Sequence, residues 1–245
     1  MNPWHVELLR LTRTPRLSAL LAVCAFLGLA QPVFVAYGEQ IIAALGGSGP
    51  SVRLPPPTTE LALSGYLGQV ASIGMLLAAG VTVAGCAVDA HYPLAVYYRT
   101  RTGLARQLLP RVVMSWAAVV VAFTVGLGCA VYETAILLEA PAGATVLRCW
   151  VAGSAYLSLV VAASALAAVV ARGVLAGFAT VAGTLMIGLP LLGMVPALRP
   201  WVPTPALPHI TEALAGRPLT SALLGAALCL AIAVPAARRR PLPRR

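Results

Sequence analysis

The chain has 245 residues, 60% of them hydrophobic and only 10% charged, with a mean hydropathy of +0.89. Soluble domains carry about 25% charged side chains, so this chain lacks the polar skin of a water-soluble core, and a soluble globular protein is excluded. The net charge is +10 and all 17 basic residues are arginine. Without lysine there is no Walker A lysine, no Schiff-base lysine and no lysine general base. The arginines stand between long apolar runs instead of gathering on one soluble face with aromatic readers, so they read as basic membrane loops, with no nucleic acid as partner.

The first element is an interfacial helix over residues 1–16. Asn2 is placed to cap it and Pro3 to occupy its first position. Trp4, Leu8 and Leu11 then share one face, Glu7, Arg10 and Arg13 project from the others, and Pro15 ends the helix. Such a helix lies on a lipid bilayer without crossing it. A basic flank that only set topology would need neither Trp4 nor the cap.

Six membrane spans follow. A hydrocarbon core about 30 Å thick takes about 20 apolar residues at about 1.5 Å each, and six uncharged runs have that length. Span 1 runs roughly from Leu17 to Tyr37. It contains a Gly28-Leu29-Ala30 sequence of signal-cleavage type, but the apolar run continues through Val33 and is long enough to span. Span 2 runs from Ala62 to Val88 and span 3 from Val112 to Tyr132. Span 4 fills the interval between Arg148 and Arg172, span 5 runs from Gly173 to Val195, and span 6 from Pro218 to Ala237. Arg172 and Gly173 form the one tight hinge, and Gly173 with Gly177 makes a small-xxx-small pair suited to close helix packing. The expected architecture is all-α, one transmembrane domain over 1–245: interfacial helix 1–16, spans 17–237, and a basic cytoplasmic tail 238–245.

Arginine counting sets the orientation. With the N-terminus inside, 13 arginines fall on the cytoplasmic side and 4 outside (Arg53, Arg148, Arg199 and Arg217), while two acids fall inside and five outside. Both termini are therefore expected to be cytoplasmic. The lysine-free, arginine- and alanine-rich usage suits a high-GC bacterial genome, and with it the inner (cytoplasmic) membrane.

Among the connections, residues 38–60 read as a flexible Gly/Pro linker. The connection 89–111 carries Pro93 to start a short helix and Gly103 to end it, with Leu94, Tyr97, Tyr98 and Arg101 at i, i+3, i+4 and i+7. Two readings suit it equally: a short helix that docks another protein, or a loop whose Tyr and Arg side chains anchor at the headgroups. The segment 190–217 is too apolar for a solvated loop and too broken by proline for a span. It suits a hairpin of short helices dipping into the outer leaflet, or equally a proline-kinked surface cap.

No catalytic constellation emerges. His5, His91 and His209 all lie outside the spans, so an intramembrane serine protease has no base. Glu133 lies 22 residues beyond Arg111, about 33 Å along a helix, and emerges near the outer interface, while Asp89 sits at the inner one. No two acids share a span interior, as an aspartyl protease or a carboxylate proton relay requires. Five cysteines (Cys24, Cys86, Cys129, Cys149 and Cys229) fall in or beside spans without C-x-x-C spacing; they read as small hydrophobes, and no metal site is implied. The polar groups inside spans are mild: Gln69 and Ser72 on span 2, Ser115 and Thr124 on span 3, Ser154, Tyr156 and Ser158 on span 4, Thr180 and Thr184 on span 5. Gln69, Ser72, Ser154, Tyr156 and Ser158 are the candidates to line a passage. The competing role for each is an interhelical or backbone hydrogen bond.

This arrangement of six spans, a preceding interfacial helix, a short helix between spans 2 and 3 and a broken segment between spans 5 and 6 resembles the ABC-2 type permease family, the membrane subunits of ABC exporters. The local match is Arg101-Thr102-Gly103-Leu104-Ala105-Arg106, then Leu108-Leu109-Pro110-Arg111, with Gly103 where the family usually has proline. The resemblance implies a partner ATP-binding-cassette ATPase subunit that carries the ATP and Mg, neither of which this chain binds itself, and a second permease, identical or related. It makes the segment from His91 to Thr102 a coupling helix, with His91, Leu94, Tyr97, Tyr98, Arg99 and Arg101 as its contact residues. Residues Trp4, Glu7, Leu8, Arg10, Leu11 and Arg13 become the elbow helix, and 190–217 the re-entrant outer helices. The expected function is export of an amphipathic or lipid-like molecule such as a drug, an antibiotic or a lipid. The alternative is a membrane scaffold or sensor that binds a regulatory partner through the same basic loop and moves nothing.

Overall fold

The computed structural model describes residues 3–44, 55–87, 104–171, 173–203 and 216–239. Among them every long element is a helix and none is a strand. A short helix, α1 (Pro3–Arg13), is followed after the single bend at Thr14 by α2 (Pro15–Ala44). Then come α3 (Thr59–Cys86), α4 (Leu104–Leu137), α5 (Gly143–Val170), α6 (Val174–Gly193) and α7 (Arg217–Arg239). Helices α2 to α7 are each long and apolar enough to cross a membrane.

Pro3 begins α1 and Pro15 begins α2, as a residue with a preset φ and no N–H should. The proposed Asn2 cap lies outside the described residues. Span ends differ from the hydropathy limits wherever a helix projects past the apolar run. Helix α2 continues to Ala44 and so includes Glu39; α5 starts at Gly143 and includes Arg148. The larger correction concerns the connection before span 3. Its second half, from Leu104 to Arg111, is the opening of α4, which runs through Pro110. Proline in a helix removes one hydrogen bond but stops the helix only if packing fails to hold it. Here Leu108 and Val112 on either side are buried and hold it.

Helix α5 is the centre of the bundle, 67% of its span being buried. It packs against α7, α3, α4 and α6, while α2 lies along α4 and crosses α3. Helices α6 and α7 are peripheral at 17% buried and present Leu191, Leu223, Leu224, Leu228 and Ile232 outward. In lipid there is no hydrophobic drive between helices, so association depends on close packing at small residues. The α2–α4 contact is built that way: a side chain on Gly28 would overlap the Gly126 carbonyl, and one on Gly126 would overlap the Cys24 carbonyl and the Tyr66 hydroxyl. Beside this seam the rings of Tyr66 and Phe123 stack with centroids 5.9 Å apart, and the Tyr66 hydroxyl donates to the Phe123 carbonyl at 3.1 Å. Of the expected Gly173/Gly177 pair, only Gly177 makes a close approach, against Val83 and Ala167; Gly173 has open space where a side chain would stand.

Two helices carry a π turn, Val70–Gly74 in α3 and Thr184–Gly188 in α6. The second precedes Pro190, whose missing N–H the looser turn accommodates. Span 5 therefore reaches Gly193 despite its proline. Beyond it the chain turns and makes a 3-10 turn, Arg199–Trp201, whose Trp201 carbonyl accepts from the Ser221 hydroxyl on α7. Residues 204–215 of the expected hairpin lie outside the described residues.

Candidate functional site

The strongest polar cluster is assembled where α1 meets the ends of three spans. Helix α3 ends at Cys86, so the carbonyls of its last turn have no partner within the helix. Arg10 from α1 donates to the Gly85 carbonyl at 3.3 Å and the Ala84 carbonyl at 3.4 Å. Arg111 from α4 donates to the same Gly85 carbonyl at 3.2 Å. Two guanidinium groups therefore cap the negative end of the α3 dipole.

Glu7 closes the cluster. Its carboxylate lies 2.9 Å from Arg111 Nε, as an ion pair rather than a well-aligned hydrogen bond, and 3.3 Å from Arg10 Nη1. The Glu7 and Arg111 side chains are only 13% and 10% exposed. A charge so far removed from water persists only when paired. Consequently the polar face of α1, Glu7 with Arg10 and Leu11, turns toward the bundle, while Trp4, Leu8 and Arg13 are exposed. Arg111 took no functional part in the sequence reading except as the residue opening span 3. The signal available for it was a glutamate in the first helix, which needed a partner if that helix docked by its polar side.

Most of the passage candidates make interhelical or backbone hydrogen bonds. Gln69, just ahead of the π turn of α3, donates through its side-chain amide to the Gln31 carboxamide of α2. Gly65 leaves the room for Gln31: a side chain there would collide with it. Ser72 bonds back to the Gly68 and Gln69 carbonyls at 3.1 and 3.2 Å. Tyr156 is buried and donates to the Ala71 carbonyl at 3.1 Å, reaching a backbone acceptor in the π turn. Ser158 accepts from Trp116 Nε1 at 2.9 Å and itself donates to the Ser154 carbonyl at 2.7 Å. Ser154 keeps a buried hydroxyl oxygen with no partner among the described residues. Thr124 accepts from Trp150 Nε1 at 2.9 Å, and Thr180 and Thr184 bond to carbonyls four residues back. Sequence reading missed Gln31, because a lone glutamine next to Pro32 carries no periodic signal.

The contact residues of the expected docking helix, His91, Leu94, Tyr97, Tyr98, Arg99 and Arg101, lie outside the described residues. Their flanks do not: Ala87 follows the end of α3 and Leu104 opens α4. All five cysteines are free thiols, with Cys24, Cys86 and Cys149 buried.

A chain whose described long elements are six apolar helices, with a charged cluster where the first short helix meets the bundle, has the build of a multi-pass α-helical membrane protein. No family model matches this sequence, and no curated protein aligns with it significantly.

Proposed function

We propose that this protein is the membrane subunit of an ATP-driven exporter of the ABC-2 type, with an amphipathic or lipid-like cargo, both termini in the cytoplasm and a location in a bacterial inner membrane. The observation that carries this reading is the clamp of Glu7, Arg10 and Arg111 around the end of α3. It ties α1 to both ends of the segment 88–103, so that a push on that segment is transmitted to α1, α3 and α4 together. The apolar outward face of α1, with Trp4 and Leu8, suits an elbow helix lying at the membrane surface. Energy supply supports the same reading. No carboxylate is buried within α2 to α7 among the described residues, which leaves an ion-coupled cycle without its usual proton carriers, and a lysine-free chain has no Walker A site of its own. The partner ATPase would carry ATP and Mg, and a second permease subunit, identical or related, would complete the pathway.

The test is purification of the tagged chain from its own host in mild detergent, with identification of stoichiometric partners and an ATPase assay. Recovery of a P-loop subunit with ATP hydrolysis is the expected result. In that complex, Tyr97→Ala with Arg101→Gln is expected to lower stimulated hydrolysis about tenfold or more, the loss of one well-buried contact anchor. Recovery of the chain with a partner devoid of ATPase activity overturns the exporter reading in favour of the scaffold or sensor.

A further inference from the structure

The docked end of α1 also borders a small cleft, open on one side, lined by Glu7, Arg10, Thr14, Arg16, Arg111 and Ser115. Glu7 is shared between Arg10 and Arg111. Arg16 has no ion pair or hydrogen bond among the described residues, although it lies within Coulombic range of Arg10 and Glu7. Among the described residues, Glu7 is thus the one carboxylate facing Arg10, Arg16 and Arg111. Thr14 adds a buried hydroxyl oxygen with no partner among the described residues. The cleft lies where α2 and α4 begin and α3 ends, which is headgroup level for any bilayer these helices cross. Leu11, Val81 and Met114 line the same cleft with apolar surface.

We propose that this cleft binds the phosphate of an anionic phospholipid. A phosphodiester brings one negative charge and two non-bridging oxygens, which a guanidinium can engage in parallel. Arg16 supplies the guanidinium that Glu7 leaves uncompensated, and Thr14 and Ser115 supply hydroxyl donors. The apolar walls favour a phosphate attached to acyl chains over a free one, and basic pockets between transmembrane helices are a recurrent means of holding anionic headgroups. The bound phosphate would sit at the open mouth of the cleft, between α1 and the starts of α2 and α4, joining the elbow to the bundle with the surrounding leaflet as its source. The proposal rests on the helices crossing a bilayer and is independent of what, if anything, the protein transports.

The test uses the purified full-length chain, delipidated in neutral detergent and titrated with phosphatidylglycerol or with phosphatidylcholine of the same acyl chains, read by native mass spectrometry. One phosphatidylglycerol per chain is expected to be retained where phosphatidylcholine is not. Arg16→Gln is expected to weaken retention roughly fivefold, the effect of one arginine at a lipid surface, and Thr14→Val to weaken it in the same direction. Arg13→Gln removes the same charge from an exposed position outside the cleft and is expected to leave retention unchanged. Equal retention of the two lipids, or an equal loss in Arg13→Gln and Arg16→Gln, would overturn the site. Displacement of phosphatidylglycerol by millimolar inorganic phosphate would overturn the lipid assignment and leave a soluble-anion site.

Discussion

Glu7 is the residue on which the docking of the first helix turns, because it faces two arginines and one of them is almost wholly buried. Glu7→Gln removes the carboxylate shared by Arg10 and Arg111 while leaving Arg111 its Gly85 acceptor, and is expected to cost about 3 kcal/mol. Arg111→Gln carries a similar cost by leaving the nearly buried Glu7 with Arg10 alone. Combined, the two substitutions are expected to be less damaging than their sum, by about 1–3 kcal/mol of coupling. Thermal melts of the four proteins in one detergent measure it, and strictly additive losses would show that the pair contributes nothing. Inside the bundle, the Gln31–Gln69 bond is a smaller term. Polar contacts between transmembrane helices average about 0.6 kcal/mol, so Gln69→Leu is expected to cost about that much, whereas loss of a transport passage would instead abolish activity at unchanged stability.

At the scale of elements, close helix contact decides which substitutions are tolerated. Gly126→Ala places a methyl group against the Cys24 carbonyl and the Tyr66 hydroxyl, whereas Gly128, two residues on, has open space. Gly126→Ala is expected to destabilise by about 3 kcal/mol or more, since backbone cannot yield as a side chain can. Gly128→Ala is expected to stabilise α4 by about 0.5–1 kcal/mol through helix propensity. The two melting shifts should have opposite signs. Both glycines occupy the same apolar run, and nothing in periodicity separates them. The same limit explains the connection before span 3. Gly103, Arg106, Pro110 and Arg111 together read as a loop, yet packing of Leu108 and Val112 keeps this stretch helical through Pro110. In α6 Pro190 reads as an interruption, and the π turn ahead of it absorbs it.

For the whole molecule, the orientation drawn from arginine asymmetry is testable by itself. Ser48→Cys, in the connection after span 1, should react with a membrane-impermeant maleimide on intact cells, while Thr100→Cys, in the connection after span 2, should react only after the inner membrane is opened. The reverse pattern would invert every span and place the Glu7–Arg111 end at the outer surface. Three of the native thiols are buried and the other two partly so, which keeps the background of such labelling low.

Sequence alone determined that this chain builds six helices long and apolar enough to cross a membrane. Length and uninterrupted apolarity are local properties, and the cost of leaving backbone groups unpaired in hydrocarbon leaves only helices for such runs. It also placed Pro3 at a helix start and a helix boundary at Pro15, because φ restriction acts within one residue, but that Pro15 opens the next long helix is seen only in the structure. The tertiary structure decided what the polar residues do. Glu7, Arg10 and Arg111 come from two helices far apart in the chain, and both arginines meet at the carbonyls that end a third. Gln69 finds Gln31, and Tyr156 finds the π turn at Ala71. A buried hydrogen-bonding group must be satisfied somewhere, but which partner satisfies it depends on which helices lie side by side, and that is settled by backbone approach at residues such as Gly28 and Gly126, whose absent side chains leave no mark in hydropathy.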